Sequence, residues 1–289
     1  MAYFAALLVH NFAWEIAEPR FVLAPGISLC RFSGSELERV YQDLCKKHLI
    51  DDSDPFNYQV CLLITPDATG NFYADIFDSN SDIEKLSNFI SIFTNCILSM
   101  RRIIWSHDNF RTVAGTEILF VPMGDLIAGD WNPITEKNAP LIAEAWSNFK
   151  KTVKTGHRIS DALTYFCYAG RAQYAEQVCL NLTIVLEILF APHSNSETSH
   201  QTAFNVSRFM ATNRPNREDV FQMVKQFYGV RSSIVHGGKP DYEKAEEVAY
   251  RTYLLVCRIL RKILLEKETT QTFNDEARRR ELFQGYLFD

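Results

Sequence analysis

At 289 residues the chain has room for one large or two modest domains. Its 47% hydrophobic and 22% charged content fits a globular protein and excludes a disordered or fibrous one. The net charge of −5 is uneven: residues 1–150 carry 11 Lys and Arg against 19 Asp and Glu, and the remainder carries 19 against 16, so an anionic ligand is expected on the second part.

The N-terminus opens directly on a strand-like pattern without a basic stretch or cleavage signal, so no targeting peptide is expected. The longest apolar runs, such as Ala5-Ala6-Leu7-Leu8-Val9, fall far short of a membrane span. Segments 3–12 and 20–32 read as strands, the second broken by a Pro25-Gly26 turn. Segments 59–64 and 71–77 flank Thr65-Pro66-Asp67-Ala68-Thr69-Gly70, which has hairpin chemistry. Helical spacing is expected over 35–48 and over 82–105, the latter with Leu86, Phe89, Ile90, Phe93, Ile97 and Met100 on one face. A short strand follows at 116–121.

After Trp131-Asn132-Pro133 the pattern becomes helical. Helices are expected over 141–154, 160–169, 173–190, 203–211, 217–236 and 241–267, with 193–200 as a polar turn and Asn213-Arg214-Pro215-Asn216 as a loop. The expected fold class is an α+β N-terminal domain followed by an all-α helical bundle. Its parts would be an α+β domain at 1–135, a connecting helix or linker at 136–157, the helical domain at 158–267 and a C-terminal tail at 268–289. Seven scattered cysteines, with no C-x-x-C pair, read as buried reduced thiols in a cytoplasmic protein; no metal or cofactor is expected.

The stretch Tyr228-Gly229-Val230-Arg231-Ser232-Ser233-Ile234-Val235-His236-Gly237-Gly238 sets an arginine and a histidine five positions apart at a helix end. Spacing alone says little, because chance supplies such a gap about once in a chain of this composition. Arg102 and His107 repeat it, and they are expected to be a surface pair on the first domain. Context separates the two copies: only Arg231 and His236 are followed by a glycine pair inside a helical region.

From about 158 to 267 the chain resembles the HEPN superfamily of helical domains, in particular its ApeA-like branch. The resemblance rests on Leu180-Asn181-Leu182-Thr183-Ile184-Val185-Leu186-Glu187-Ile188-Leu189-Phe190, on residues 204–210 with Arg208 where the family has an arginine, and above all on Tyr228-x-x-Arg231-Ser232-x-x-Val235-His236-Gly237. It implies a metal-independent endoribonuclease that leaves a 2′,3′-cyclic phosphate and a 5′-OH, in an antiphage or toxin-like role. Its substrates would be tRNA, mRNA or phage transcripts, with a regulatory or antitoxin partner and no membrane.

The residue chemistry suits that expectation. Histidine can serve as acid or base near neutrality, and arginine's planar fork matches phosphate while staying charged. Arg231 and His236 are therefore the candidate catalytic residues, with Ser232, Glu187, Asn181 and Lys239 as supporting or RNA-contacting candidates. Glu187 is expected to pair with an arginine such as Arg208 or to face the site as a carboxylate. Five positions on a straight helix leave two side chains about 140° apart around the axis. Either the last turn unwinds, the long arginine wraps round, or two chains complete one cleft, so a homodimer with a composite site is expected. The alternatives are a non-catalytic HEPN-like protein serving dimerisation, partner binding or nucleotide binding, and nucleotidyl transfer to a partner.

Overall fold

The computed structural model describes residues 4–10, 14–31, 38, 39, 42, 46, 60–64, 82–94, 99–106, 115–118, 134–153, 157–172, 174–191, 198–238 and 241–287. The chain divides into two units, with a boundary between Ser147 and Asn148. The first is α+β and the second is helical.

In the first unit, β1 (Phe4–His10), β3 (Arg20–Ala24), β4 (Ile27–Arg31), β5 (Val60–Ile64), β6 (Ser99–Ser106) and β7 (Gly115–Ile118) form one antiparallel sheet in the order β3-β4-β5-β1-β6-β7. A two-residue parallel pair, β2 (Trp14–Glu15) with β8 (Ile134–Thr135), stands apart. Pro25-Gly26 makes the β3–β4 turn: proline presets the first turn position and Gly26 takes φ 72°, the left-handed value that glycine tolerates. Helix α1 (Asp82–Thr94) buries Leu86, Phe89, Ile90 and Phe93, and Phe89 meets Trp146 edge-on at 5.4 Å.

Here the structure corrects the sequence reading. The helix expected over 82–105 ends at Thr94, and residues 99–105 belong to strand β6, paired on one side with β1 and on the other with β7. The β-branched and aromatic run Ile103-Ile104-Trp105 favours a strand, and two flanking partners outweigh a helical spacing that Ile97 and Met100 merely continued. Arg102 thus lies on a central strand, opposite Leu8 and Ile118, and not beside a helix end. His107 and the strand expected at 71–77 fall outside the described residues.

Helix α2 (Ala139–Thr152) carries the unit boundary. Beyond it, α3 (Arg158–Arg171), α4 (Ala175–Phe190), α5 (Thr198–Met210), α6 (Arg214–Val235), α7 (Tyr242–Leu265), α8 (Lys267–Asn274) and α9 (Glu276–Gly285) build the second unit. Helix α4 is central, packing against α3, α5, α6 and α7. Two aromatic groups anchor the core: Phe166 stacks on Tyr253 at 5.1 Å, and Phe190 gathers Phe209, Phe273 and Phe283 within 5.9 Å. Cys30, Cys167, Cys179 and Cys257 are buried thiols. No helix among the described residues is long and apolar enough to cross a membrane.

Two further differences concern element ends. Helix α6 begins at Arg214, inside the expected loop, because Asn213 caps it by accepting from the Asn216 N–H at 3.0 Å and Pro215 fits the first turn. Residues 268–289, set apart in the sequence as a tail, contain α8 and α9. Phe273 and Arg279 of these helices are buried. The Arg279 guanidinium donates to the Leu189 and Ala191 carbonyls at 3.0 and 3.1 Å, and Arg158 reaches the Ile188 carbonyl at 2.7 Å. Helix α4 has no basic residue in its own last turn, so cations from α3 and α9 serve its terminal carbonyls and the negative end of its dipole.

Candidate functional site

The site is organised by α6. Along this helix Val224, Phe227 and Tyr228 form an inward stripe with helical spacing, and Arg231, three residues on, extends it. Tyr228 is 8% exposed and its hydroxyl donates to Glu187 Oε1 on α4 at 3.3 Å. Burial, followed by the Glu187 charge, pushes the Tyr228 phenol well above its ordinary range, while Thr202 and Arg231 pull the other way. That opposing pull places the Arg231 charge within electrostatic reach of the phenol. Arg231 is half-buried, and its Nε is shut off from solvent with no hydrogen-bond partner among the described residues.

The end of α6 is built for termination. His236 is the C-cap, and its N–H still donates to the Ser232 carbonyl at 3.0 Å, four residues back. Gly237 takes φ 71° and donates to Ile234 at 3.3 Å; Gly238 donates to Ser233 at 2.8 Å. These two bonds make a Schellman motif, which satisfies the last carbonyls and requires a left-handed residue just past the cap.

The helix therefore does not unwind before His236. With helical phase kept to that point, Arg231 and His236 leave the axis about 140° apart. Arg231 continues the inward stripe, whereas His236 is exposed, as are Val235 at 49% and Tyr242 at 65%. Among the described residues no hydrogen bond or ring contact joins the Arg231 and His236 side chains.

The remaining candidates scatter. Ser232 is exposed on the last turn, and only its carbonyl takes part in the helix end. Asn181 is half-buried on α4, six residues before Glu187. Lys239 lies outside the described residues. Glu187 does not pair with Arg208 among the described residues: it accepts from Tyr228, while Arg208 holds its guanidinium 5.3 Å over the Phe204 ring. The reason is topological. Helices α5 and α6 form a tight hairpin in which Arg208 sits near the turn, whereas Tyr228 and Glu187 meet toward the other end.

Sequence reasoning missed the Tyr228–Glu187 bond, although the resemblance named both residues. The two residues lie 41 positions apart on different helices, so no local spacing in the sequence points to the bond. Among the described residues no three His, Cys, Asp or Glu side chains gather as metal ligands would. Comparison with family models, curated proteins and solved structures returns no match.

Proposed function

We propose that the second unit is a HEPN-like endoribonuclease domain in which Arg231 and His236 act on RNA without metal. The observation that carries the reading is the pairing of two uncommitted groups on one helix end. Among the described residues the Arg231 Nε has no acceptor, and His236 is exposed to solvent on a backbone locked by the Schellman motif. In the proposed reaction the RNA 2′-oxygen, relieved of its proton by a base, bonds to phosphorus. The P–O5′ bond breaks, and an acid returns a proton to the 5′-oxygen, leaving a 2′,3′-cyclic phosphate and a 5′-OH. The guanidinium stabilises the charge on the pentavalent phosphorus.

One chain has one histidine at this end for two proton transfers, and it points away from the arginine. The reading therefore includes a homodimer whose two-fold axis brings two α6 ends into one cleft. The exposed Val235 and Tyr242, close to His236 in sequence, supply apolar surface for such pairing. A tRNA, mRNA or phage-transcript substrate, an antiphage or toxin-like setting, and an antitoxin or regulatory partner follow from the HEPN resemblance. The same exposed residues favour the second reading, in which the α6 ends pair without chemistry.

The test is incubation of pure protein with tRNA and total RNA in EDTA, alongside light scattering. Cutting that disappears in both Arg231→Ala and His236→Ala, with cyclic-phosphate ends on the products, supports the nuclease. A dimer that cuts no RNA supports the second reading. Undiminished cutting by both variants assigns cleavage to another site or a contaminant.

A further inference from the structure

At the opposite end of α6 a second site is laid out. Helices α5 and α6, joined by residues 211–213, enclose an open cleft of about 440 Å³ lined by Phe204, Arg208, Arg214, Arg217, Glu218 and Phe221. That size lies within the range of small-ligand clefts. Three guanidinium groups face one carboxylate, and among the described residues none of the three forms an ion pair with it or with any other acid. Arg217 is anchored through Nε to the Ala211 carbonyl at 3.0 Å. Arg208 lies over Phe204, and among the described residues its buried Nη1 has no acceptor. Phe221 is braced by the His200 ring, edge to face at 5.2 Å.

A surface cluster of arginines is ordinarily a solvated patch. This one differs in having a concave shape and two aromatic rings in the same cleft. The N-terminus of α6 is not the attraction, since Asn213 already caps it. Guanidinium forks bind phosphate oxygens in a bidentate manner, and aromatic rings offer flat faces on which a base stacks. We infer that this cleft binds a nucleotide, its phosphate on Arg208, Arg214 and Arg217 and its base against Phe204 or Phe221.

The site is separate from the α6 C-terminal end. Arg217 and His236 are 19 positions apart on one helix, about 28 Å along the axis. The nucleotide has two sources, a free mononucleotide or one unit of an RNA strand, and the inference does not depend on RNA cleavage.

Calorimetric titration of the full-length His236→Ala protein tests it, with AMP, inorganic phosphate and a short single-stranded RNA as probes. AMP is expected to bind about tenfold more tightly than phosphate, because stacking adds to charge. Arg214→Gln, at an exposed position that leaves the fold intact, is expected to weaken AMP or RNA binding about tenfold. Phe221→Leu should remove the preference for AMP over phosphate if the base stacks there, and Phe204→Leu if it stacks on Phe204. An RNA oligomer that binds through Arg214 while AMP does not identifies the occupant as a strand, and AMP binding alone identifies a free nucleotide. No binding of AMP or oligomer overturns the inference. So does binding unchanged by Arg214→Gln and Arg208→Gln in protein with native circular dichroism. Cleavage by the unmutated chain is a separate readout, so either proposal can fail while the other stands.

Discussion

Replacing Gly237 with alanine tests whether the end of α6 is held as described. Gly237 has φ 71° and no atom within 4 Å of the position a Cβ would take, so the substitution introduces backbone strain without a steric clash. A non-glycine residue in the left-handed region costs about 1–2 kcal/mol. Alanine also restricts the unfolded chain, which returns about 0.4–1 kcal/mol. The expected result is a net loss of about 1 kcal/mol. Gly229, on the same helix, supplies a control of opposite sign. It is exposed, helical and likewise has nothing within 4 Å of its added Cβ, so Gly229→Ala should stabilise by about 0.5–1 kcal/mol. Gly238→Ala should lose at least as much as Gly237→Ala. Its Cβ would come 3.0 Å from the Ser233 carbonyl oxygen, the acceptor of the 2.8 Å bond that closes the motif. Urea unfolding of the full chain, followed by far-UV circular dichroism, reads all three. A Gly237→Ala midpoint equal to or above the parent's would refute the left-handed cap, and a destabilising Gly229→Ala would refute its place on an open helix face.

Two more predictions concern buried groups of the helical unit. Arg279→Met should cost about 3 kcal/mol, because it strips the Leu189 and Ala191 carbonyls of a charged donor in a side-chain site only 2% exposed. A urea-unfolding loss below about 1 kcal/mol would mean that water replaces the guanidinium. Stability should also fall in alkali. The Tyr228 phenol is raised in the folded state above its unfolded value of about 10, so its contribution is complete below that pH and drains away as pH climbs above it. The Cys179 thiol, pushed up to about 12 mainly by burial, has the same sign over a window that opens about three pH units lower than its folded value. Midpoints measured against pH should flatten above about pH 10 in Tyr228→Phe and between about 9 and 12 in Cys179→Ala. A slope common to parent and variants would contradict both burials.

How far the sequence reveals this molecule depends on how local the governing forces are. The Pro25-Gly26 turn, the apolar face of α1 as far as Phe93 and the glycine pair after His236 all depend on a few adjacent residues, and each was legible. Strand β6 was misread because its identity comes from β1 and β7, partners distant in sequence, which outweigh a helical spacing of apolar residues. The C-terminal helices were set apart only as a tail because their packing depends on distant partners: Arg279 is buried by carbonyls about 90 residues earlier in the chain. The candidate site divided along the same line. The helix end carrying Arg231 and His236 could be located from local signals, but the Tyr228–Glu187 bond, which spans 41 residues, required the packing of α4 against α6.

The regularity of α6 narrows how its two candidate residues can act together. A loosened last turn would let one chain swing His236 round to Arg231; instead the Ser232 bond and the two glycine bonds hold helical phase to the cap. The arginine continues the inward stripe of α6 and its Nε is shut off from solvent, so its swing is restrained as well. Unwinding the end to join the pair would give up the motif's hydrogen bonds, each worth about 1 kcal/mol. A second copy would supply the missing group at no such cost, because both helix ends keep their geometry. Cooperation between Arg231 and His236 should therefore track protein concentration through the dimer equilibrium, whereas dependence on loosening of the helix end would make Gly237→Ala more active and indifferent to dilution.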